Sequence, residues 1–245
     1  MDITRIRRRL SQRFGAWFGV WRLAVWLNKK MGFHSVGESP LFGDNSPEFV
    51  RLMEIVRPRT LVTQDKCFVL DRCLRHALGV MPAGAAVAEC GVFKGGTAYL
   101  LASILQGRGI PLHLFDTFSG IPESSACDAT AVGDLANTSV ESVRRFLKPF
   151  DLVEFHPGLI PETFAGLKEQ QFGFVHVDVD TYRTTVHCCE YFWPRLLPGG
   201  VMVFDDYVLP GQRQAVDEFF AGRTEVPLPM RSGQAMVVRH PRGGA

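Results

Sequence analysis

The sequence lacks the features that mark several whole classes of protein. No uncharged apolar stretch approaches the ~20 residues that a membrane-spanning helix requires. One of the longest, 95–107, has thirteen residues and lies between Lys94 and Arg108. Glycine (24) and proline (15) are close to ordinary usage for 245 residues, which excludes collagen-like, low-complexity and largely disordered chains. We therefore expect a soluble globular protein with enough chain to bury a large core.

Cysteine pairs and targeting signals are also missing. None of the six cysteines forms a Cys-x-x-Cys pair, the usual start of a compact zinc site. We expect free, buried thiols of the kind that a reducing cytosol maintains. The basic residues near the N-terminus are not followed by an uncharged apolar run with a small-residue cleavage site, so no secretory signal is predicted. These absences favour a cytoplasmic location.

Residues 1–45 are predicted to form a basic amphipathic arm and a loop, and 46–245 the main domain. Residues 1–30 hold eight basic side chains and one acid, a net charge of +7 in a chain whose formal charge is +2. Apolar residues recur there at helical spacing. The arm could be a lid or packing helix, within the domain or in a homo-oligomer. It could also lie on anionic membrane or touch nucleic acid, but no basic face elsewhere supports a nucleic-acid partner, and none is expected.

From residue 85 the pattern changes to short apolar runs that alternate with helical ones. Continuous apolar strands joined by helices predict a doubly wound, mostly parallel α/β sheet covered on both faces. The predicted strands are 85–90, 112–115, 152–155, 174–177, 201–204 and 235–238. The predicted helices are 47–56 and 65–78 before the sheet, and 97–105, 140–147, 184–193 and 214–220 between its strands.

Six carboxylates lie at the ends of four of these strands, where such sheets bind their ligands. They are Glu89, Asp116, Asp178, Asp180, Asp205 and Asp206. Asp178 and Asp180 are expected to share a face, because they alternate with a period of two. Carboxylates this close repel one another unless a cation neutralises them, and oxygen-only ligands favour a hard ion such as Mg²⁺. Capping acids and salt bridges are the structural alternative. His176 could be either a pocket residue or a core histidine.

A glycine-rich turn follows the first strand of the sheet. Residues 89–97 read ECGVFKGGT, and the glycines let the backbone turn sharply near a ligand at the N-terminus of the next helix. The segment matches neither GxGxxG nor the P-loop, so a dinucleotide or triphosphate is not indicated. Asp116 is placed to accept hydrogen bonds from ribose hydroxyls, and the acid before the loop suits a cationic amino-acid end. This combination describes the S-adenosylmethionine (SAM) site of a class I methyltransferase better than a NAD site, with a purely structural turn as the alternative.

These motifs resemble those of the macrocin O-methyltransferase family, the sugar O-methyltransferases of antibiotic biosynthesis that depend on SAM and Mg²⁺. The matching segments, in order, are 60–63 (TLVT), 89–96 (ECGVFKGG), 115–122 (FDTFSGIP), 138–140 (TSV), 158–164 (GLIPETF), 176–182 (HVDVDTY) and 198–207 (PGGVMVFDDY). Phe93-Lys94 stands where the family commonly has Trp-Arg, and Val179 replaces a small residue between the two acids. These departures bear on the substrate more than on the reaction.

The resemblance implies a seven-stranded, Rossmann-like class I methyltransferase fold. The N-terminal helical arm or lid is predicted from its own pattern and is not a feature associated with the antibiotic enzymes. The resemblance implies metal binding by Asp178, Asp205 and Asp206. It also implies a catalytic role for Asp178 and for Asp180, the latter as general base. The residues implied in SAM binding are Thr63, Glu89, Gly91, Lys94, Gly95, Gly96, Asp116, Ser139 and Asp178.

The implied acceptor is a small molecule, a sugar or another vicinal diol, in natural-product or glycan biosynthesis. Two other readings compete with this one. A non-catalytic SAM-fold scaffold would act through the basic arm. A NAD-type oxidoreductase would need a different glycine spacing and a Tyr-x-x-x-Lys pair, and neither is present.

Overall fold

A seven-stranded sheet lies at the centre of the computed structural model, which describes residues 46–167 and 169–241. The strands are β1 (Ala86–Cys90), β2 (Leu112–Asp116), β3 (Val153–Pro157), β4 (Phe172–Val177), β5 (Leu196–Phe204), β6 (Leu228–Pro229) and β7 (Ala235–Val238). They lie in the order β3-β2-β1-β4-β5-β7-β6. The first five pair in parallel, and β7 is antiparallel to both of its neighbours. The predicted doubly wound, mostly parallel sheet is thus confirmed.

Six α-helices are found in the described residues. They are α1 (Pro47–Val56), α2 (Gln64–Leu78), α3 (Gly96–Leu105), α4 (Val140–Phe146), α5 (Tyr182–Phe192) and α6 (Pro210–Phe220). None of them combines the length and the apolarity needed to cross a bilayer. The predicted arm and loop, 1–45, lie outside the described residues. The lid, self-association and membrane roles proposed for that segment therefore stay predictions.

The predicted elements are found with shifted ends. Helix α6 begins at Pro210, four residues before the predicted start, because proline is well tolerated in the first turn of a helix, where its missing N–H is not needed. The pattern does not locate strand β6. Its two residues, Leu228 and Pro229, are both exposed and carry no apolar periodicity.

Both faces of the parallel strands are covered, as a parallel sheet requires. Every residue of β1 and β4 is buried. Helices α1 to α4 pack on one face and α5 and α6 on the other. All six cysteines are free and four are buried, while Cys73 and Cys127 are partly exposed. Because β1, β2, β4 and β5 pair in parallel, their carboxyl ends lie along one edge of the sheet.

Candidate active site

A cleft opens at this edge, where the strand order reverses between β1 and β4 and where doubly wound sheets bind their ligands. Its volume is about 1020 Å³, counting the solvent to which it opens. Five of the six predicted carboxylates line it: Asp116, Asp178, Asp180, Asp205 and Asp206. Glu89 does not belong to this lining and is fully buried.

Four aspartates meet on one side of the cleft. Carboxylate oxygens of Asp178, Asp180 and Asp206 lie within 4.8 Å of one another. Ligand atoms of His176, Asp178 and Asp205 form a second group of the same size. Asp178 belongs to both groups, so the structure brings all the predicted metal-binding acids into one cluster.

A turn, rather than strand alternation, brings Asp178 and Asp180 together. Strand β4 ends at Val177, so the expectation that the two acids share a strand face is wrong. Asp180 lies at the centre of a three-residue turn, with a φ of 60°, in which the Thr181 N–H donates to the Val179 carbonyl at 2.7 Å. Such turns are strained and rare, and strained backbone often persists at functional sites.

Lys66 lies among these acids, and no sequence pattern above predicts it. Its Nζ donates to the carbonyl oxygen and Oδ2 of Asp205, both at 2.8 Å, and to Oδ1 of Asp206 at 2.9 Å. The side chain of Lys66 is 12% exposed and that of Asp205 is 2% exposed, so the pair is largely shielded from water. One signal could have found it. Lys66 lies in the first turn of α2, where the helix dipole disfavours a positive charge.

The charges of the cluster are not balanced. Burial, with repulsion from Asp205 and Asp206, raises the pKa of Asp178 and of Asp180 well above the usual range. Burial also opposes the charge of Asp205, but the Lys66 ammonium and a hydrogen bond with His176 outweigh it and hold the pKa of Asp205 low. Lys66 and His176 both compensate Asp205, so Asp178 and Asp180 still need protons or a further cation to neutralise them.

His176 proves to be a core histidine beneath the cluster. Its Nδ1 lies 3.0 Å from Oε1 of Glu89, and its Nε2 lies 3.4 Å from Oδ1 of Asp205. Burial lowers the pKa of His176, but its hydrogen bonds to Asp205 and Glu89 outweigh that effect and raise it to about 9. The buried Gln234 donates its Nε2 to Oδ1 of Asp205 at 2.8 Å. Both oxygens of Asp205 are therefore held by protein groups.

Asp116 holds the glycine loop in place. Its Oδ2 accepts the backbone N–H groups of Val92 and Phe93 at 2.6 and 2.8 Å, and its Oδ1 accepts that of Phe118 at 2.6 Å. Phe93 and Phe118 have φ angles of 50° and 52°, which bulky residues adopt only under constraint. A carboxylate has about four acceptor positions, so three amides leave one for a ligand hydroxyl.

The glycines of the loop are required by the chain itself. Gly91 has a φ of 85°, and a Cβ there would lie 1.8 Å from the carbonyl oxygen of Asp178. At Gly96 a Cβ would lie 2.7 Å from Cβ of Thr60. Gly91 lines the cleft, whereas Gly95 and Gly96 are not among its lining residues. Close packing of chain segments explains the glycine at these two positions, and their contacts with SAM stay predictions.

Two other predicted SAM residues occupy the N-cap positions of helices beside the cleft. Ser139 is the N-cap of α4, and its Oγ accepts the Ser142 N–H at 3.2 Å. The neighbouring Thr138 lines the cleft in its place, and its hydroxyl donates to the Phe93 carbonyl. Thr63 occupies the N-cap position of α2, and the three residues before it line the cleft.

Lys94 and Glu89 complete the predicted set, and the structure places neither in the lining. Nζ of Lys94 lies 4.9 Å from the ring centre of Phe93. Oε2 of Glu89 is buried without a hydrogen-bond partner among the described residues. A buried, unpaired carboxylate oxygen is unfavourable, so this atom is an available acceptor for a cationic group.

Comparison with known proteins places these features in a family. The family model described as macrocin-O-methyltransferase (TylF) matches residues 59–238, well over half of the chain. A relative from Streptomyces olivaceus, 8-demethyl-8-(2,3-dimethoxy-alpha-L-rhamnosyl)-tetracenomycin-C 4'-O-methyltransferase, is 29% identical over 205 residues, which cover 76% of this chain and 77% of the relative. Mycinamicin III 3''-O-methyltransferase from Micromonospora griseorubida is 27% identical over 177 residues, which cover 65% and 69%.

A solved structure agrees with these relatives. The O-methyltransferase NovP superimposes with a TM-score of 0.66 and 25% identity, covering 75% of this chain and 83% of NovP. The fold, the motifs and the comparisons therefore lead to one conclusion. The chain belongs to the macrocin O-methyltransferase family and is a SAM-dependent O-methyltransferase.

Proposed function

We propose that the protein transfers the methyl group of SAM to a hydroxyl of a sugar or another vicinal diol, in natural-product biosynthesis, with Mg²⁺ held by Asp178, Asp205 and Asp206. The relatives support the acceptor class, since one is named for a rhamnosyl substrate. Because Phe93-Lys94 and Val179 depart from the family pattern, the identity of the acceptor has to be determined by experiment.

The excess of carboxylates carries the metal proposal. Lys66 compensates Asp205 and Asp206, but Asp178 and Asp180 remain next to them with raised pKa values. Oxygens of Asp178 and Asp206 lie within 4.8 Å of each other, as do oxygens of Asp178 and Asp205. Carboxylate oxygens suit a hard divalent ion better than a soft one. When bound, Mg²⁺ would supply the positive charge that lowers the pKa of a neighbouring acceptor hydroxyl.

For SAM, the residues present offer the acceptors that its two polar ends need. Asp116 keeps one acceptor position for a ribose hydroxyl, and the unpaired Oε2 of Glu89 suits an ammonium group. SAM supplies a methyl group on a sulfonium, so transfer is a displacement that requires in-line alignment. The tightly packed loop at Gly91 would provide part of that alignment. Contacts from Thr63, Lys94, Gly95, Gly96 and Ser139 stay predictions.

Asp180 is the proposed general base. It lines the cleft, and burial together with repulsion from Asp206 raises its pKa above the usual range. A base works best when its pKa lies near the working pH, so the direction of this shift suits proton abstraction. Asp180 would take the proton of the acceptor hydroxyl as the oxygen attacks the methyl group.

Methyl transfer to a panel of acceptors tests this function. The protein is stripped with EDTA, supplied with SAM and with rhamnosides, other glycosides or catechols, and assayed by mass spectrometry with and without Mg²⁺. We expect product only when Mg²⁺ is present. Asp205→Asn should lose turnover while its calorimetric affinity for SAM largely survives. The matched control is Asp151→Asn, which changes an exposed acid outside the cleft. Full activity in EDTA, or in Asp205→Asn, would show that the metal mechanism is wrong.

A further inference from the structure

We propose that Lys66 is an internal counter-cation, which holds Asp205 and Asp206 in the metal-free protein and releases Asp206 when a divalent ion binds. This inference rests on the proposed function, because it concerns the carboxylates proposed to bind Mg²⁺. It assigns Lys66 a positioning role that affects both the stability of the empty site and its affinity for metal.

The ammonium of Lys66 is fully engaged. An ammonium has three N–H donors, and Nζ of Lys66 makes three hydrogen bonds at 2.8, 2.8 and 2.9 Å. Two go to Asp205 and one goes to Asp206, and the lysine stem is largely buried. Such charge-assisted bonds are stronger than neutral ones. Lys66 thus stabilises two adjacent acids that would otherwise repel each other.

A divalent ion and Lys66 would share the carboxylate of Asp206. Oxygens of Asp206 belong both to the Lys66 ion pair and to the group formed with Asp178 and Asp180. A divalent ion held by Asp178, Asp205 and Asp206 would face the ammonium that contacts two of these carboxylates, and like charges repel each other strongly in a buried site. Metal binding should therefore weaken at least one contact of Lys66.

Asp206 is the carboxylate that Lys66 can release more easily. Asp205 is 2% exposed, accepts one hydrogen bond from Gln234 and interacts with His176. Asp206 is 19% exposed. Besides the hydrogen bond from Lys66, its carboxylate shares one with the side chain of Asp180. The backbone N–H of Asp206, which donates to the buried Gln212 at 2.7 Å, keeps the residue in place while its side chain reorients.

Calorimetric titration of the EDTA-stripped full chain with Mg²⁺ at pH 8 tests the proposal. Lys66→Met keeps most of the apolar stem but removes the charge. We expect its Kd for Mg²⁺ to fall about tenfold, the equivalent of one charge-assisted hydrogen bond that no longer has to be broken. In EDTA, Lys66→Met should have a lower melting temperature than the wild type. Addition of Mg²⁺ should raise the melting temperature of Lys66→Met by more than it raises that of the wild type.

Two controls separate the charge of Lys66 from other effects. Lys66→Arg retains a competing cation and should stay close to the wild type in both measurements. Lys148→Met removes an exposed lysine and should change neither. If the wild type binds Mg²⁺ but Lys66→Met binds it no more tightly, this inference alone is overturned. If the wild type shows no Mg²⁺ binding, the proposed metal dependence fails first, and this inference fails with it.

Nuclear magnetic resonance of the ¹⁵N-lysine-labelled wild type gives a second test, which does not depend on the folding of Lys66→Met. The Lys66 ammonium, assigned by its absence from Lys66→Arg, should be visible in EDTA because its hydrogen bonds slow exchange with water. Addition of Mg²⁺ should shift or broaden this signal and leave the backbone amide signal of Lys148, an exposed lysine, unaffected. An unchanged Lys66 signal at saturating Mg²⁺ would show that the ion does not displace it.

Discussion

Two polar clusters lie on the same sheet, and both bring three potential metal ligands within 4.8 Å of one another. The acidic cluster, formed by Asp178, Asp180, Asp205, Asp206 and Lys66, lies at the carboxyl ends of β4 and β5. The histidine cluster consists of His113 on β2 with Glu154 and His156 on the edge strand β3. Distance alone does not distinguish them, so the comparison depends on charge and hydrogen bonding.

The histidine cluster satisfies most of its own polar atoms. Nδ1 of His113 lies 3.0 Å from Nε2 of His156 and 3.5 Å from Oε2 of Glu154. The ring of His156 stacks on Phe115 with centroids 4.5 Å apart. Burial lowers the pKa of both histidines, which leaves them neutral and able to pair as donor and acceptor. The acidic cluster, by contrast, cannot pair its carboxylates without protons or a cation.

Metal binding would disturb the histidine cluster rather than complete it. A metal on Nδ1 of His113 would place the ring proton on Nε2, which is buried without a partner among the described residues, and an orphaned buried donor is costly. Unbalanced charge, and not the mere proximity of ligand atoms, therefore distinguishes the acidic cluster as the candidate active site.

The largest expected difference between the clusters is in catalysis. Asp180→Asn removes the proposed base, and we expect kcat to fall by roughly 10²- to 10⁴-fold, the usual contribution of a positioned base. Affinities for SAM and Mg²⁺ should change only a few-fold. Steady-state kinetics and calorimetry measure the two effects.

Glu154→Gln in the histidine cluster is the matched variant, since it also converts one carboxylate to an amide. It should leave kcat within about twofold, because no step proposed here uses that residue. Equal losses in the two variants would remove the functional distinction between the clusters, and an active Asp180→Asn would reassign the base.

The next largest effect concerns the backbone that supports the acidic cluster. Gly91→Ala would place a Cβ 1.8 Å from the Asp178 carbonyl oxygen at a φ of 85°. Strain of about 1–2 kcal/mol for a left-handed residue and about 1–3 kcal/mol for overpacking should lower the unfolding free energy by roughly 2–5 kcal/mol. Urea denaturation measures this, and methyl transfer should fall as Asp178 moves.

Gly84→Ala provides the control, because Gly84 has a nearly identical φ of 84° but no atom within 4 Å of the added Cβ. Only the strain of about 1–2 kcal/mol applies there. The difference between the two variants isolates the close packing behind Asp178. If both lose the same stability, the loop does not hold the acidic cluster as tightly as the distances imply.

The fold could be predicted because its main signals are local. The buried runs of β1 and β4 and the helical periodicity of α2 depend only on neighbouring residues. Strand β6 could not be predicted, because it consists of only two residues, Leu228 and Pro229, and both are exposed. The start of α6 could not be predicted, because the pair Pro210-Gly211 is more typical of a turn than of a helix.

The acids of the site could be predicted as well, but their partners could not. A carboxylate at a strand end is visible in the sequence, and five of the six predicted acids line the cleft. Lys66 forms a hydrogen bond with Asp205, although the two residues lie 139 positions apart in the chain. Gln234, the residue before β7, donates a hydrogen bond to the same side chain. No periodicity reports such long-range pairs. The only local signal for these pairs is the position of Lys66, a positive charge in the first turn of a helix, where the dipole disfavours it.

The smallest expected effect is a difference in the pH dependence of stability, measured by urea unfolding in EDTA. The folded pKa values of His113 and His156 are lowered from 6.5, so the unfolded chain binds more protons just below that pH. This part of the stability is present above about pH 6.5 and is lost as the pH falls towards the folded pKa values. In His156→Gln, which keeps a neutral hydrogen-bonding side chain, this loss should be smaller.

The acidic cluster should respond with the opposite sign. The folded pKa values of Asp178 and Asp180 are raised from 3.8, so the metal-free folded protein holds protons that the unfolded chain has released. Its stability should therefore fall as the pH rises above about 4, and less so in Asp178→Asn. Saturating Mg²⁺ should suppress this decline but leave the histidine response unchanged, because the ion replaces protons only at the acidic cluster. Equal suppression in both would mean that the metal binds elsewhere or binds both clusters.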